Sequence, residues 1–247
     1  MKKISWQIAL SIGLVFLSAA VYYIHFIIFR DAHHIFLYLI GDIAFVFIEV
    51  LMVTIIIHRL LSQREKHAML NKLNMVIGTF FSEVGSPLLQ YLITFDEKTE
   101  TIRKNLMITT EWTKQDYRKI HRQIHFLNTS ISAKKGDLEQ LKKFLMQRRD
   151  FLLRLLENQN LLEHESFTNL LWAVFHLTEE LSQRKNLSHL PDADYNHLGI
   201  DIKRVYTILI DQWVSYMQHL QKSYPYLFSL AVRMNPVNPN ATAVIKR

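Results

Sequence analysis

Two carboxylates, Asp42 and Glu49, interrupt an otherwise apolar run from Ile35 to Ile57. A carboxylate inside a hydrocarbon span costs about 2.5–3.5 kcal/mol on insertion scales, so it is normally protonated, hydrated or buried against protein. The two acids stand seven positions apart, which at about 100° per residue returns them to nearly one helix face, and Tyr38, Phe45 and Met52 share that seam. If copies of the seam meet around an axis, it could conduct protons or cations, or its protonation could switch packing. The structural alternative is that the acids hydrogen-bond to Tyr22, Ser18 or Ser11 across the hairpin, or sit near the headgroups, and merely fix helix packing. Tyr38, Asp42, Phe45, Glu49 and Met52 are therefore the candidate functional or assembly residues.

Other constellations are less specific. His164, Glu165, His176, Glu179 and Glu180 fall on neighbouring turns, but ferritin-like sites use Glu-x-x-His with further glutamates, whereas His176-Leu177-Thr178-Glu179 runs in reverse. Asp194-Tyr195-Asn196-His197 offers no better pattern, so no metal and no cofactor is expected. No phosphate-binding loop, dinucleotide-binding glycine pattern, nucleophile elbow, zinc-protease or kinase motif occurs, which disfavours an enzyme. Basic pairs at Arg118-Lys119, Lys134-Lys135, Lys142-Lys143 and Arg148-Arg149 read as solvated faces or a surface for membrane or acidic partners. No nucleic-acid recognition motif accompanies them. The chain has no cysteine, which excludes disulfide and thiolate chemistry.

The elements that must hold the acidic seam begin at Trp6. From there to Phe29 only Gln7 and His25 are strongly polar, and at about 1.5 Å per residue the stretch exceeds a ~30 Å hydrocarbon core. Ile35–Ile57 can also span. The connector Arg30-Asp31-Ala32-His33-His34 forces a tight antiparallel hairpin and leaves no room for a pore helix or a potassium-selective filter. Lys2 and Lys3 precede the first span, while Arg59, Arg64 and Lys66 follow the second. This bias puts both termini in the cytoplasm, for a multi-pass protein of the inner membrane. A cleaved signal peptide ending near Ser18-Ala19-Ala20 is disfavoured because the apolar run continues to Phe29. Residues 1–60 hold four basic and three acidic side chains, so +6 of the net +7 lies beyond Leu60. Attraction to anionic headgroups accounts for such a balance.

Beyond Leu60 apolar residues recur at three- and four-residue spacing, which predicts an all-α chain: a transmembrane helical hairpin followed by a cytoplasmic helical bundle. The expected segments are the hairpin over 1–60, a stalk and connecting helix over 61–93, a helical domain over 94–234 and an exposed tail over 235–247. Gly85-Ser86-Pro87 is read as a stop, with Ser86 capping the next helix. Thr113 is expected to cap a helix through about Ser130, Asp137 to cap another, and Ser166 to restart a third. A long helix from about Asp194 to Lys222 is expected to bury Ile202, Val205, Tyr206, Leu209, Ile210, Trp213, Tyr216, Met217 and Leu220.

Gly41-Asp42-Ile43-Ala44-Phe45, Leu73-Asn74-Met75-Val76-Ile77-Gly78, Phe80-Phe81-Ser82-Glu83-Val84-Gly85 and Tyr224-Pro225-Tyr226-Leu227-Phe228-Ser229-Leu230 resemble an uncharacterised family of bacterial two-span inner-membrane proteins with a helical cytoplasmic domain. The resemblance implies architecture and source, and carries no catalytic residue. The expectation is a non-enzymatic, lipid-embedded protein that forms homo-oligomers and acts as a scaffold or docks a cytoplasmic protein partner. The alternative is an oligomeric cation or proton conductor lined by the second span.

Overall fold

The computed structural model describes residues 6–126, 129–158, 161 and 164–245. It is helical, and among the described residues the only extended pairing is an isolated bridge between Asp96 and Ile131. Two units make up the chain, Met1–His67 and Ala68–Arg247.

The first unit holds α1, Trp6–Phe29, and the larger part of α2, Ala32–Phe80. Arg30 turns the chain between them at φ 49, in the left-handed region, and its N–H donates to the Phe26 carbonyl at 2.8 Å. That closes the last turn of α1. Asp31 then caps α2, its Oδ1 accepting from the His34 N–H at 3.1 Å. The His25 and His34 rings stack with centroids 6.0 Å apart. Nearly all side chains of α1 and of α2 up to Arg64 are exposed, so this unit has no core of its own among the described residues.

The second unit starts on the last turns of α2, where Leu73, Ile77 and Phe80 are buried. It continues through a π-turn, Phe81–Gly85, into α3, Ser86–Leu92, a 3₁₀ turn, Ile93–Phe95, and α4, Thr99–Asn105. Then come α5, Lys114–Phe126; α6, Leu138–Leu156; α7, Glu165–Gln183; α8, Asp192–Ser223; and α9, Pro225–Arg233. α8 is the hub, packing against α3, α5, α7 and α9, while α6 packs on α7. Leu198, Ile202, Val205, Leu209, Trp213, Met217 and Leu220 bury one face of α8 at the spacing expected of an amphipathic helix.

Several local expectations change. Gly85-Ser86-Pro87 does not stop the chain: Gly85 is helical, with φ −62 and ψ −49, and the Ser86 N–H reaches back to the Phe81 carbonyl across the widened π-turn. In an unbroken α-helix the residue 87 N–H would serve the Glu83 carbonyl, and proline has none. Arg148 Nε on α6 donates to that carbonyl instead, at 3.1 Å. The helix expected to restart at Ser166 does so as α7 from Glu165, and its cap is His164, whose Nδ1 accepts from the Phe167 N–H at 3.3 Å. Thr113 and Asp116 cap α5 reciprocally; the helix is described through Phe126, and Thr129 and Ser130 are not helical. Asp137 caps α6 as expected, accepting from the Gln140 N–H at 2.9 Å.

The segment expected as an exposed tail begins buried. Asn235 Nδ2 donates at 2.9 Å to the Leu106 carbonyl, which also accepts from the Ile108 N–H at 2.8 Å, and Asn235 Oδ1 accepts from the Val237 N–H at 3.0 Å. Val237 itself is buried.

Candidate functional site

The predicted seam lies on α2 in the first unit. Tyr38, Asp42, Phe45, Glu49 and Met52 are all exposed. Asp42 and Glu49 form no hydrogen bond or ion pair among the described residues, so the expected bonds to Tyr22, Ser18 or Ser11 are not made. Tyr38 instead meets the His34 ring at 4.5 Å. The spacing argument puts the acids on one face, and among the described residues neither acid has a hydrogen-bond or ion-pair partner.

A second constellation forms where α7 packs on α8. Residues beside the buried stripes of the two helices face each other in antiparallel register, His176 opposite Asp201 and Glu180 opposite His197. His197 Nε2 lies 3.4 Å from Glu180 Oε2 and 3.4 Å from Asp201 Oδ2. His176 Nε2 lies 3.6 Å from the same Asp201 oxygen and 4.0 Å from Glu180 Oε1. The Asp201 side chain is only 4% exposed, because it sits between Leu198 and Ile202 on the buried face, whereas the two imidazoles are about half-exposed. Asp201 Oδ2 has no hydrogen-bond donor.

Arginines hold the carboxylates from behind. Arg204 Nη1 reaches Asp201 Oδ1 at 3.2 Å. Arg184, just past α7, bridges Glu180 Oε2 at 2.8 Å and Asp194 at 2.6 Å. Its hydrogen bonds hold the carboxyls of Glu180 and Asp194 below their ordinary values of 4.5 and 3.8, and these acids in turn raise the guanidinium, Asp194 foremost. With the imidazoles neutral, Glu180, Asp194 and Asp201 against Arg184 and Arg204 leave a single negative charge. The arrangement can bind a cation or a proton.

The sequence reading set His176 against Glu179 and His197 against Asp194, both at three-residue spacing, and so missed the cluster. The structure joins residues four apart: His176 with Glu180, and His197 with Asp201. Glu179 turns away to Arg149 on α6 at 2.8 Å, and His164 is a helix cap. The available signal was a repeated His-x-x-x-acid spacing on two helices. Asp201 itself was absent from the reading because an acid within an apolar stripe gives no sign of its neighbours.

Fold and clusters together define an all-helical protein with an apolar N-terminal helix pair and a larger helical domain. Two helices, Ile8–Phe29 and Ala32–Arg64, are long and apolar enough to cross a membrane. Residues 2–61 match the family described as MJ1433, N-terminal helical domain, and residues 69–233 match the C-terminal helical domain of Uncharacterized protein MJ1433. The chain belongs to this family. It is 46% identical over 241 residues to Uncharacterized protein MJ1433 of Methanocaldococcus jannaschii, covering 98% of this chain and 96% of the relative. That relative is archaeal, whereas the resemblance implied a bacterial source. No solved structure matches the chain.

Proposed function

We propose that this is a membrane-anchored assembly protein: α1 and the first half of α2 cross a bilayer, and copies associate through Tyr38, Asp42, Phe45, Glu49 and Met52. The observation that carries this reading is that Asp42 and Glu49 are exposed, with no hydrogen-bond or ion-pair partner among the described residues, in a stretch, Ile35 to Ile57, that is otherwise apolar. Lipid tails solvate the apolar faces but cannot satisfy two carboxylates, so the seam needs protein or water against it. A second copy presents the same residues in the same register and closes the seam by symmetry.

Under the positive-inside rule both termini and the helical domain lie in the cytoplasm, where the domain acts as a scaffold or docks a protein partner rather than as an enzyme. The test is the mass of the full-length protein in lipid nanodiscs, compared with the variant Asp42→Asn/Glu49→Gln. The expected result is an oligomer that dissociates in the variant. A wild-type monomer overturns the reading. An oligomer that survives the substitutions removes the seam from assembly and favours the second reading, a cation or proton pathway, which predicts liposome flux lost in the same variant.

A further inference from the structure

The geometry points to a divalent-cation site of the zinc class between α7 and α8, with Glu180, His197 Nε2 and Asp201 Oδ2 as ligands and His176 Nε2 beside Asp201. The inference rests on the second unit alone and is independent of membrane assembly.

Three observations converge. First, the donor set is two imidazoles and two carboxylates, which suits zinc and neighbouring transition metals; calcium and magnesium favour oxygen-only shells. Second, with metal–ligand bonds of about 2.0–2.2 Å, a tetrahedron places its ligand atoms about 3.3–3.6 Å apart. The separations from His197 Nε2 to Glu180 Oε2 and Asp201 Oδ2 are both 3.4 Å, and that from His176 Nε2 to Asp201 Oδ2 is 3.6 Å. One ligand atom each from Glu180, His197 and Asp201 all fall within 4.8 Å of one another. Third, Asp201 Oδ2 is buried without a hydrogen-bond donor and lies beside both imidazole nitrogens. A buried oxygen of this kind is costly unless a positive charge or proton meets it.

The surroundings fit a bound cation. Arg204 fixes the other oxygen of Asp201, and Arg184 holds Glu180 through Oε2, the oxygen that also faces His197. Such outer partners orient carboxylate ligands. The half-exposed imidazoles leave a path from solvent, and the ligands pair one turn of α7 with one turn of α8. A bound ion therefore clips the hub helix to its neighbour.

The experiment is zinc titration of the full-length protein in detergent, read by calorimetry and by metal content after dialysis, with melting followed by circular dichroism. His176→Gln/His197→Gln is the main variant, since both side chains are half-exposed and their loss leaves the core intact. His33→Gln/His34→Gln controls for the histidines near the first turn. The expected result is saturable stoichiometric binding and a zinc-dependent rise in melting temperature. Both are lost in His176→Gln/His197→Gln and retained in His33→Gln/His34→Gln. No binding to wild type at micromolar free zinc overturns the site, as does equal binding by His176→Gln/His197→Gln; the cluster is then an ionic clasp between helices.

Discussion

Phe47 and Phe80 lie on the same helix, yet Phe47 is 74% exposed and Phe80 is fully buried. Around Phe47 the helix is apolar on every side but for Asp42 and Glu49, and α1 is nearly so. Around Phe80 the apolar residues gather into a stripe that continues as Phe81 and Val84, with Phe80 edge-on to Phe167 at 5.2 Å and Phe81 stacked on Tyr216 at 4.8 Å. Apolar content alone therefore does not make a core. A stripe can be covered by neighbouring helices while the opposite face stays in water; a helix apolar all round needs an apolar solvent or many partners.

The comparison is broken most severely by truncating each region in turn. Trp213→Ala on α8 should destabilise the second unit by about 3–5 kcal/mol, because the hole left in the hub cannot fully collapse. Phe47→Ala should leave that unfolding midpoint unchanged. Denaturant titrations followed by far-ultraviolet circular dichroism measure both, and equal losses would mean that the exposed helices share the core's stability.

Charge sharpens the contrast at a somewhat smaller scale. Phe47→Lys should cost about 2.5–3.5 kcal/mol of membrane insertion, measured as the fraction of chain resistant to carbonate extraction. Met75→Lys, at another exposed apolar position of α2, should change folding by less than about 0.5 kcal/mol. A Phe47→Lys protein that inserts as well as wild type would remove α2 from the bilayer.

The smallest effect concerns acid. Arg184 holds Glu180 and Asp194 below their ordinary values, so their contribution is present above about pH 4 and is lost as pH falls through the depressed values. The melting temperature of the second unit should drop on acidification, and Arg184→Gln should flatten part of that drop, by no more than about 1 kcal/mol because these groups are partly exposed. An unchanged slope would assign the acid sensitivity to other carboxylates.

The helices were legible wherever one face carried a three- and four-residue repeat, and the caps at Thr113 and Asp137 could be read because a short polar side chain answers an adjacent N–H. Gly85-Ser86-Pro87 misled because the residue that compensates for Pro87 is Arg148, far along the chain. The tail misled for a related reason: Asn-Pro runs read as loop, but Asn235 donates to the carbonyl of Leu106, far along the chain. The acidic seam was visible from spacing alone, whereas the His–carboxylate cluster required α7 and α8 to be set side by side.

The sequence by itself determined that the chain is helical, where its two most apolar helices run and that Asp42 and Glu49 share a face, since these follow from composition and from 3.6 residues per turn. Only the tertiary structure decided that α8 is the hub, that Glu83 and Leu106 offer their carbonyls to distant side chains and that His176, Glu180, His197 and Asp201 converge. Local periodicity fixes which face of a helix is apolar; which other helix covers that face, and in what register, depends on packing the whole unit at once.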